Sequence, residues 1–315
     1  MKAPVRLAAY GAGLVVAFGA AFGLAGVVVP DSVLAAWAKS SDTGSHGEGH
    51  GDTEEQNMEH AMNGVSASAA GYVLSPVTAP SGTNDAGKLS FRILDEDGKP
   101  VTEYTRTHEK DLHLIVVRTD GTQFRHVHPD LDEATGTWSV PSWNWDEAGT
   151  YRVYADFTPA GKDAEGVTLT RAVEVAGDYA PVEATVSRTD EVDGYTVTLD
   201  GELNAGSTSD LTATVERNGK PVTALEPYLG AFGHLVALRE GDLAYLHVHP
   251  AGDEPQAGST GGPDVSFAAE VPTAGRYLLY LDFQIDGKVR TAQFVVDAGH
   301  GDGTQADDES HSGGH

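Results

Sequence analysis

The chain of 315 residues contains no cysteine. Disulfides, thiolate metal sites and cysteine nucleophiles are thereby excluded, and so is any anchor that needs a lipidated cysteine. Basic residues are scarce: 20 Lys and Arg stand against 47 Asp and Glu, a formal charge of −27. A surface of that sign repels phosphate backbones and anionic headgroups, which excludes nucleic acid as a partner. No convincing amphipathic helix follows the first thirty residues. No Ser-His-Asp order, phosphate loop or nucleophile motif occurs either, so no enzymatic activity is expected.

The one long apolar run is at the start. Lys2 and Arg6 precede an uncharged stretch from Leu7 to Pro30, longer than the ~7–15 residue core of a signal peptide and close to the ~20 residues that span a bilayer. The flanking charges place the start in the cytoplasm and the body outside. The expectation is a single-pass membrane protein with its C-terminal part exported. The alternative is secretion after cleavage at Ala36-Trp37-Ala38. The expected organisation is this anchor or signal segment over 1–30, a disordered linker over 31–70, a β-sandwich repeat over 71–177, a second over 178–298, and a disordered acidic tail over 299–315.

The repeat is read from the residues. Asp97-Gly98-Lys99-Pro100-Val101-Thr102 returns as Asn218-Gly219-Lys220-Pro221-Val222-Thr223. His113 to Arg118 returns as His234 to Arg239, and His126-Val127-His128-Pro129 as His247-Val248-His249-Pro250; each pair of blocks lies 121 positions apart. After a longer loop, Gly149 to Phe157 returns as Gly275 to Phe283. A repeat of this length is a whole domain. Within it, short β-type runs alternate with Gly, Pro and Asp turns, the pattern of an antiparallel sandwich or barrel.

A hairpin turning on Asp120-Gly121 sets Thr119 against Thr122 and, counting outward, His113 against His128, with His126 on the same face. Opposed Cβ atoms lie ~4.5–5.5 Å apart, so three imidazoles converge. Around the aligned Gly241-Asp242 turn the same count gathers His234, His247 and His249. Neutral imidazole suits Cu(II), Zn(II) and Ni(II), and three histidines leave an open position. Each repeat is therefore expected to hold one divalent ion, copper before zinc or nickel. Asp156 and Asp282 are candidate auxiliary groups, as is His108, which is Leu229 in the second copy. Ile115, Val117 and Phe124 share the histidine face, so the rings could instead be structural. In the linker, Met58, His60 and Met62 combine thioether and imidazole, donors that copper favours.

These blocks, from His108-Glu109-Lys110 to Val117, Phe124 to Pro129, Pro227 to Arg239 and Tyr245 to Pro250, resemble exported actinobacterial proteins labelled heavy-metal-associated or heavy-metal-binding. The resemblance covers nearly all of 71–297. It implies an all-β chain of two tandem Ig-like or cupredoxin-like antiparallel β-sandwich units after an N-terminal transmembrane helix, and it favours copper handling with other extracytoplasmic metal-handling proteins as partners. Two further readings stand beside metal capture, buffering or delivery. One is a cell-surface interaction module with structural histidines. The other is a cupin-type metalloenzyme, for which Gly241, His247, His249, Glu254 and Gly261 fit the first motif in spacing while the companion motif is missing.

Overall fold

The computed structural model describes residues 64–300, apart from 163, 247 and 257, and these residues belong to one compact unit of the chain. The apolar segment 1–30, the linker as far as 63 and the tail from 301 lie outside the described residues. All the described elements are strands. No described helix is long and apolar enough to cross a membrane.

The first repeat opens with β1 (Ser68–Ala69), β2 (Tyr72–Leu74), β3 (Ala86–Leu94), β4 (Tyr104–Thr105) and β5 (His113–Arg118). It continues with β6 (Arg125–Val127), β7 (Asp130–Asp132), β8 (Thr137–Asn144), β9 (Gly149–Pro159) and β10 (Val167–Val175). The second opens with β11 (Thr189–Val192), β12 (Tyr195–Asp200), β13 (Leu203–Ala205), β14 (Thr208–Arg217) and β15 (Lys220–Pro221). Then come β16 (His234–Arg239), β17 (Tyr245–Leu246), β18 (Val248–Pro250), β19 (Asp264–Glu270), β20 (Gly275–Ile285) and β21 (Lys288–His300). The described strands thus begin within the stretch expected to be linker, and the last one runs two residues past the expected end. Small residues such as Ser66 to Ala69 carry no alternation that would mark a strand, yet Thr170 N–H donates to Ser66 O at 2.8 Å.

Each repeat is a pair of sheets. In the first, β1-β2-β3-β8-β7 faces β10-β9-β5-β6; in the second, β11-β12-β14-β19-β18 faces β13-β21-β20-β16-β17. This is the immunoglobulin order, two sheets joined by Greek-key crossings and antiparallel except where β13 pairs with β21 in parallel. A tyrosine corner closes each copy: Tyr151 Oη donates to Glu147 O and Tyr277 Oη to Thr273 O, both at 2.7 Å. The sandwich cores gather around Leu89, Phe91, Val116, Trp138 and Val153 in one repeat and Leu211, Ala237, Phe267, Leu279 and Phe294 in the other.

Strand β5 is buried along its whole length. Leu114 and Val116 face the core of their own sandwich, while Ile115 and Val117 pack in a third cluster with Phe124, Tyr154, Val236, Leu238, Leu278 and Tyr280. An unbroken apolar run is what burial on both faces requires. The second covering layer is the other repeat, and the contact is pseudo-twofold. Tyr154 Oη donates to Leu243 O at 2.7 Å, and its counterpart Tyr280 Oη donates to Gly121 O at 2.5 Å. Phe124 stacks on Tyr280 with centroids 4.0 Å apart, and Tyr245 meets Tyr154 at 5.9 Å. The approach leaves no room at Gly121 (φ 82°), where a Cβ would sit 2.6 Å from Leu278 Cδ1. Of the repeated tyrosines, Tyr151 and Tyr277 stay in their own sandwiches, while Tyr154 and Tyr280 join the two repeats.

Tyr154→Phe and Tyr280→Phe each leave a buried carbonyl without its donor and are expected to lower the unfolding free energy by about 1–3 kcal/mol. Urea denaturation of the two variants measures this. Losses near zero in both would mean that the hydroxyls do not join the repeats.

Candidate metal centre

The hairpin that carries the first histidines is built differently from the simple turn drawn above. Gly121 N–H donates to Arg118 O at 2.8 Å and Arg118 N–H to Thr122 O at 2.9 Å, so Arg118, not Thr119, stands opposite Thr122. Gln123, at φ 58°, then takes up one extra residue. Pairing resumes as Val116 with Arg125, Ile115 with His126 and Leu114 with Val127. The two offsets cancel, and the next pair along would be His113 with His128.

The three rings do meet. The ligand atoms of His113, His126 and His128 lie within 4.8 Å of one another. His113 Nδ1 is 3.0 Å from His126 Nε2 and 3.2 Å from His128 Nε2. The outer nitrogens are already engaged. His113 Nε2 lies 3.0 Å from the carbonyl O of Thr107, and His126 Nδ1 lies 2.8 Å from Asp282 Oδ2. A carbonyl and a carboxylate only accept, so both outer nitrogens carry the proton. In the neutral rings His113 Nδ1 and His126 Nε2 are then the bare nitrogens, and they face each other. A proton or a metal ion between them satisfies both lone pairs. Ligand nitrogens ~2.0–2.1 Å from a tetrahedral ion stand roughly 3.3–3.4 Å apart, close to the spacing found.

Asp282 belongs to the second repeat. Its side chain and that of His126 are 3% and 2% exposed, and Thr291 Oγ1 donates to its other oxygen at 2.5 Å. The device is a histidine ligand oriented by a carboxylate, itself held by a hydroxyl, as metal-bound histidines usually are. In the first repeat Asp156 takes the matching place and accepts from Thr168 Oγ1 at 2.9 Å.

The second repeat does not rebuild the trio. Its hairpin keeps the expected register, with Ala237 against Leu246, but β17 ends there. Strand β18 pairs with β19 in the opposite sheet, setting His249 against Ala268 with its side chain exposed. Leu246 and Val248 both serve the inner core, and such an alternation suits either sheet, which is why the switch is invisible in the sequence. His247 lies outside the described residues, as do Met58, His60 and Met62. His234 instead joins the first repeat's rings, stacked on His113 at 6.1 Å and 25° and lying 6.2 Å from His126. His108 comes within 4.7 Å of His234 and 6.1 Å of His113. A cavity of ≈ 30 Å³ opens among His108, His113, His126, Asp156, His234 and Tyr245. Among the described residues the rings gather in one cluster between the repeats, where the sequence led to a three-histidine cluster in each. Thr291 and the Thr107 carbonyl were not foreseen, for no residue pattern marks an outer acceptor.

A protein-family model described as Domain of unknown function (DUF8832) matches residues 68–177 and again 190–300. The chain belongs to this family. Both matches span the two sandwiches. No curated protein matches the chain. Among solved structures, the bacterial integrin-binding protein invasin is 15% identical at a TM-score of 0.20, with 72% of this chain and 39% of the invasin chain covered. The D0-D1 domain of intimin is 12% identical at a TM-score of 0.20, with 73% and 97% covered. Likeness at that level carries no information about what the chain binds.

Burial, and then neighbouring His126, hold His113 down to about 4; burial and the same neighbours hold His128 at about 2; burial and then His108 hold His234 at about 3. The ordinary value is ~6.5. Above that pH the rings are neutral in both states and contribute nothing. As pH falls below it, the unfolded chain takes up protons that the ion-free folded chain refuses, and stability drops. The thermal midpoint of the metal-free chain is therefore expected to fall between pH 6.5 and 5, before ordinary carboxylates titrate. A midpoint unchanged across that window would show that the rings are protonated in the fold.

Proposed function

We propose that this is an extracytoplasmic metal-binding protein whose two repeats share one divalent-ion centre, with Cu(II) preferred over Zn(II) and Ni(II). The observation that carries the reading is the meeting of unprotonated ring nitrogens, His113 Nδ1 and His126 Nε2 at 3.0 Å with His128 Nε2 beside them. All-imidazole donors select first-row ions of the copper and zinc type over magnesium or calcium. The −27 charge supports cation capture at the exported surface. In this reading the apolar N-terminal segment anchors or exports the body, and the protein captures, buffers or hands on the ion to other extracytoplasmic metal-handling proteins. It performs no catalysis of its own.

One observation favours a second reading, a cell-surface interaction module with structural histidines. The rings sit against the interface that joins the repeats, and their outer nitrogens are bonded to both, as rings that merely hold the interface would also be.

Metal analysis of the full chain after loading and desalting separates the two. The metal reading expects retained copper, an equivalent of which disappears in the His126→Ala/His128→Ala double variant. Asp282→Asn, which keeps the shape and loses the anionic acceptor, is expected to weaken that equivalent by about 10–100-fold. Retention that is the same in wild type and double variant would leave the structural reading standing.

A further inference from the structure

We infer that the chain holds a second divalent-ion position beside the three-histidine centre, formed by His108 and His234, one from each repeat. The inference rests on the metal reading above and concerns different side chains.

The rings fall into two groups. His113, His126 and His128 have centroids 4.9–5.2 Å apart, whereas His108 and His234 are 4.7 Å from each other and each 6.1 Å from His113. His113 Nδ1 already faces the first group, and its Nε2 proton is given to Thr107 O. It has no donor left for a further ion. His234 is prepared as His113 is. Its Nε2 lies 3.2 Å from the carbonyl O of Leu229, so the proton sits there and Nδ1 is the bare nitrogen.

His108 is held by a turn made for it. Thr107 and Lys110 bond to each other across the turn, and the two residues between them, His108 and Glu109, have φ of 50° and 65°. Such a type I′ turn favours Asn and Gly. The second repeat builds the same turn, with Tyr228 and Ala231 bonded across Leu229 and Gly230 at φ 56° and 79°. There Leu229 is buried. The turn therefore needs no histidine, and the first repeat spends an unfavourable backbone position on an imidazole that reaches the other repeat's His234.

The ≈ 30 Å³ cavity opens beside these rings; His113, His126 and Asp156 line it too, while His128 does not. That is room for an ion or a water. Two imidazoles, with water to complete the set, suit Cu(II) or Zn(II). Asp156 lines the cavity and Asp282 bonds His126, so each group of rings has a carboxyl group beside it.

Copper(II) titration of the full chain, followed by electron paramagnetic resonance, tests the inference, because ions held by rings about 6 Å apart couple through space while ions on distant histidines do not. The first equivalent is expected to give an isolated-ion spectrum. Further copper is expected to add dipolar broadening and a half-field transition. His108→Leu, the residue the second repeat uses, should keep the first equivalent and abolish the coupled signal, and His108→Asn, which the turn accepts readily, should do the same. A wild-type spectrum of isolated ions up to saturation overturns the second position and leaves the first intact. Weakening of the first equivalent by either variant also overturns it, since His108 would then belong to the three-histidine centre. A chain that never gives the first signal removes the metal reading itself.

Discussion

A β-strand that is apolar on both faces must be covered on both, and in this chain the second cover is the other repeat. Strands β5 and β16 each place one row of side chains in their own sandwich and the alternate row in the shared cluster. Water cannot satisfy that outer row, so burial of Ile115, Val117, Val236 and Leu238 holds the sheets face to face. His113 and His234 begin these same strands. They reach each other because the apolar rows behind them do, and the histidine cluster follows from how the two-faced strands pack.

The pseudo-twofold contact is symmetrical in its tyrosines and asymmetrical in its histidines. Tyr154 and Tyr280 reach across in matching fashion, each hydroxyl landing on a carbonyl of the partner's hairpin turn. By contrast His128 ends beside His113, whereas its counterpart His249 leaves for the opposite sheet. His108 reaches the centre, while its counterpart is Leu229. Duplication supplied two copies of one motif, and the fold draws on them unequally.

Acidic outside and imidazole-lined within, the molecule separates two electrostatic roles. The exposed carboxylates act as a diffuse field on cations. Inside, the selecting element is the placement of protons. The carbonyls of Thr107 and Leu229 and the carboxylate of Asp282 each accept a hydrogen bond from an outer ring N–H, which leaves the inner nitrogen of each neutral ring as the lone pair. Burial and mutual proximity keep His113, His128 and His234 from becoming cations themselves.

The all-β class, the duplication and the convergence of His113, His126 and His128 were legible in the residues, because alternation, turn signals and strand register are local properties. Even the hairpin came out in register through two irregularities that cancel, at Gly121 and Gln123. The strand order, the switch of β18 between sheets and the meeting of the repeats were decided by tertiary structure alone. Leu246-x-Val248 satisfies the inner face of either sheet, so nothing local says which sheet takes it. An outward apolar row demands a cover without naming it. Asp282 could be singled out as a carboxylate near its own repeat's His234, but its bond to His126, 156 positions away, exists only because two sandwiches closed on each other. Cross-repeat contacts of that kind depend on which surfaces pack, and side-chain periodicity within one strand does not encode that.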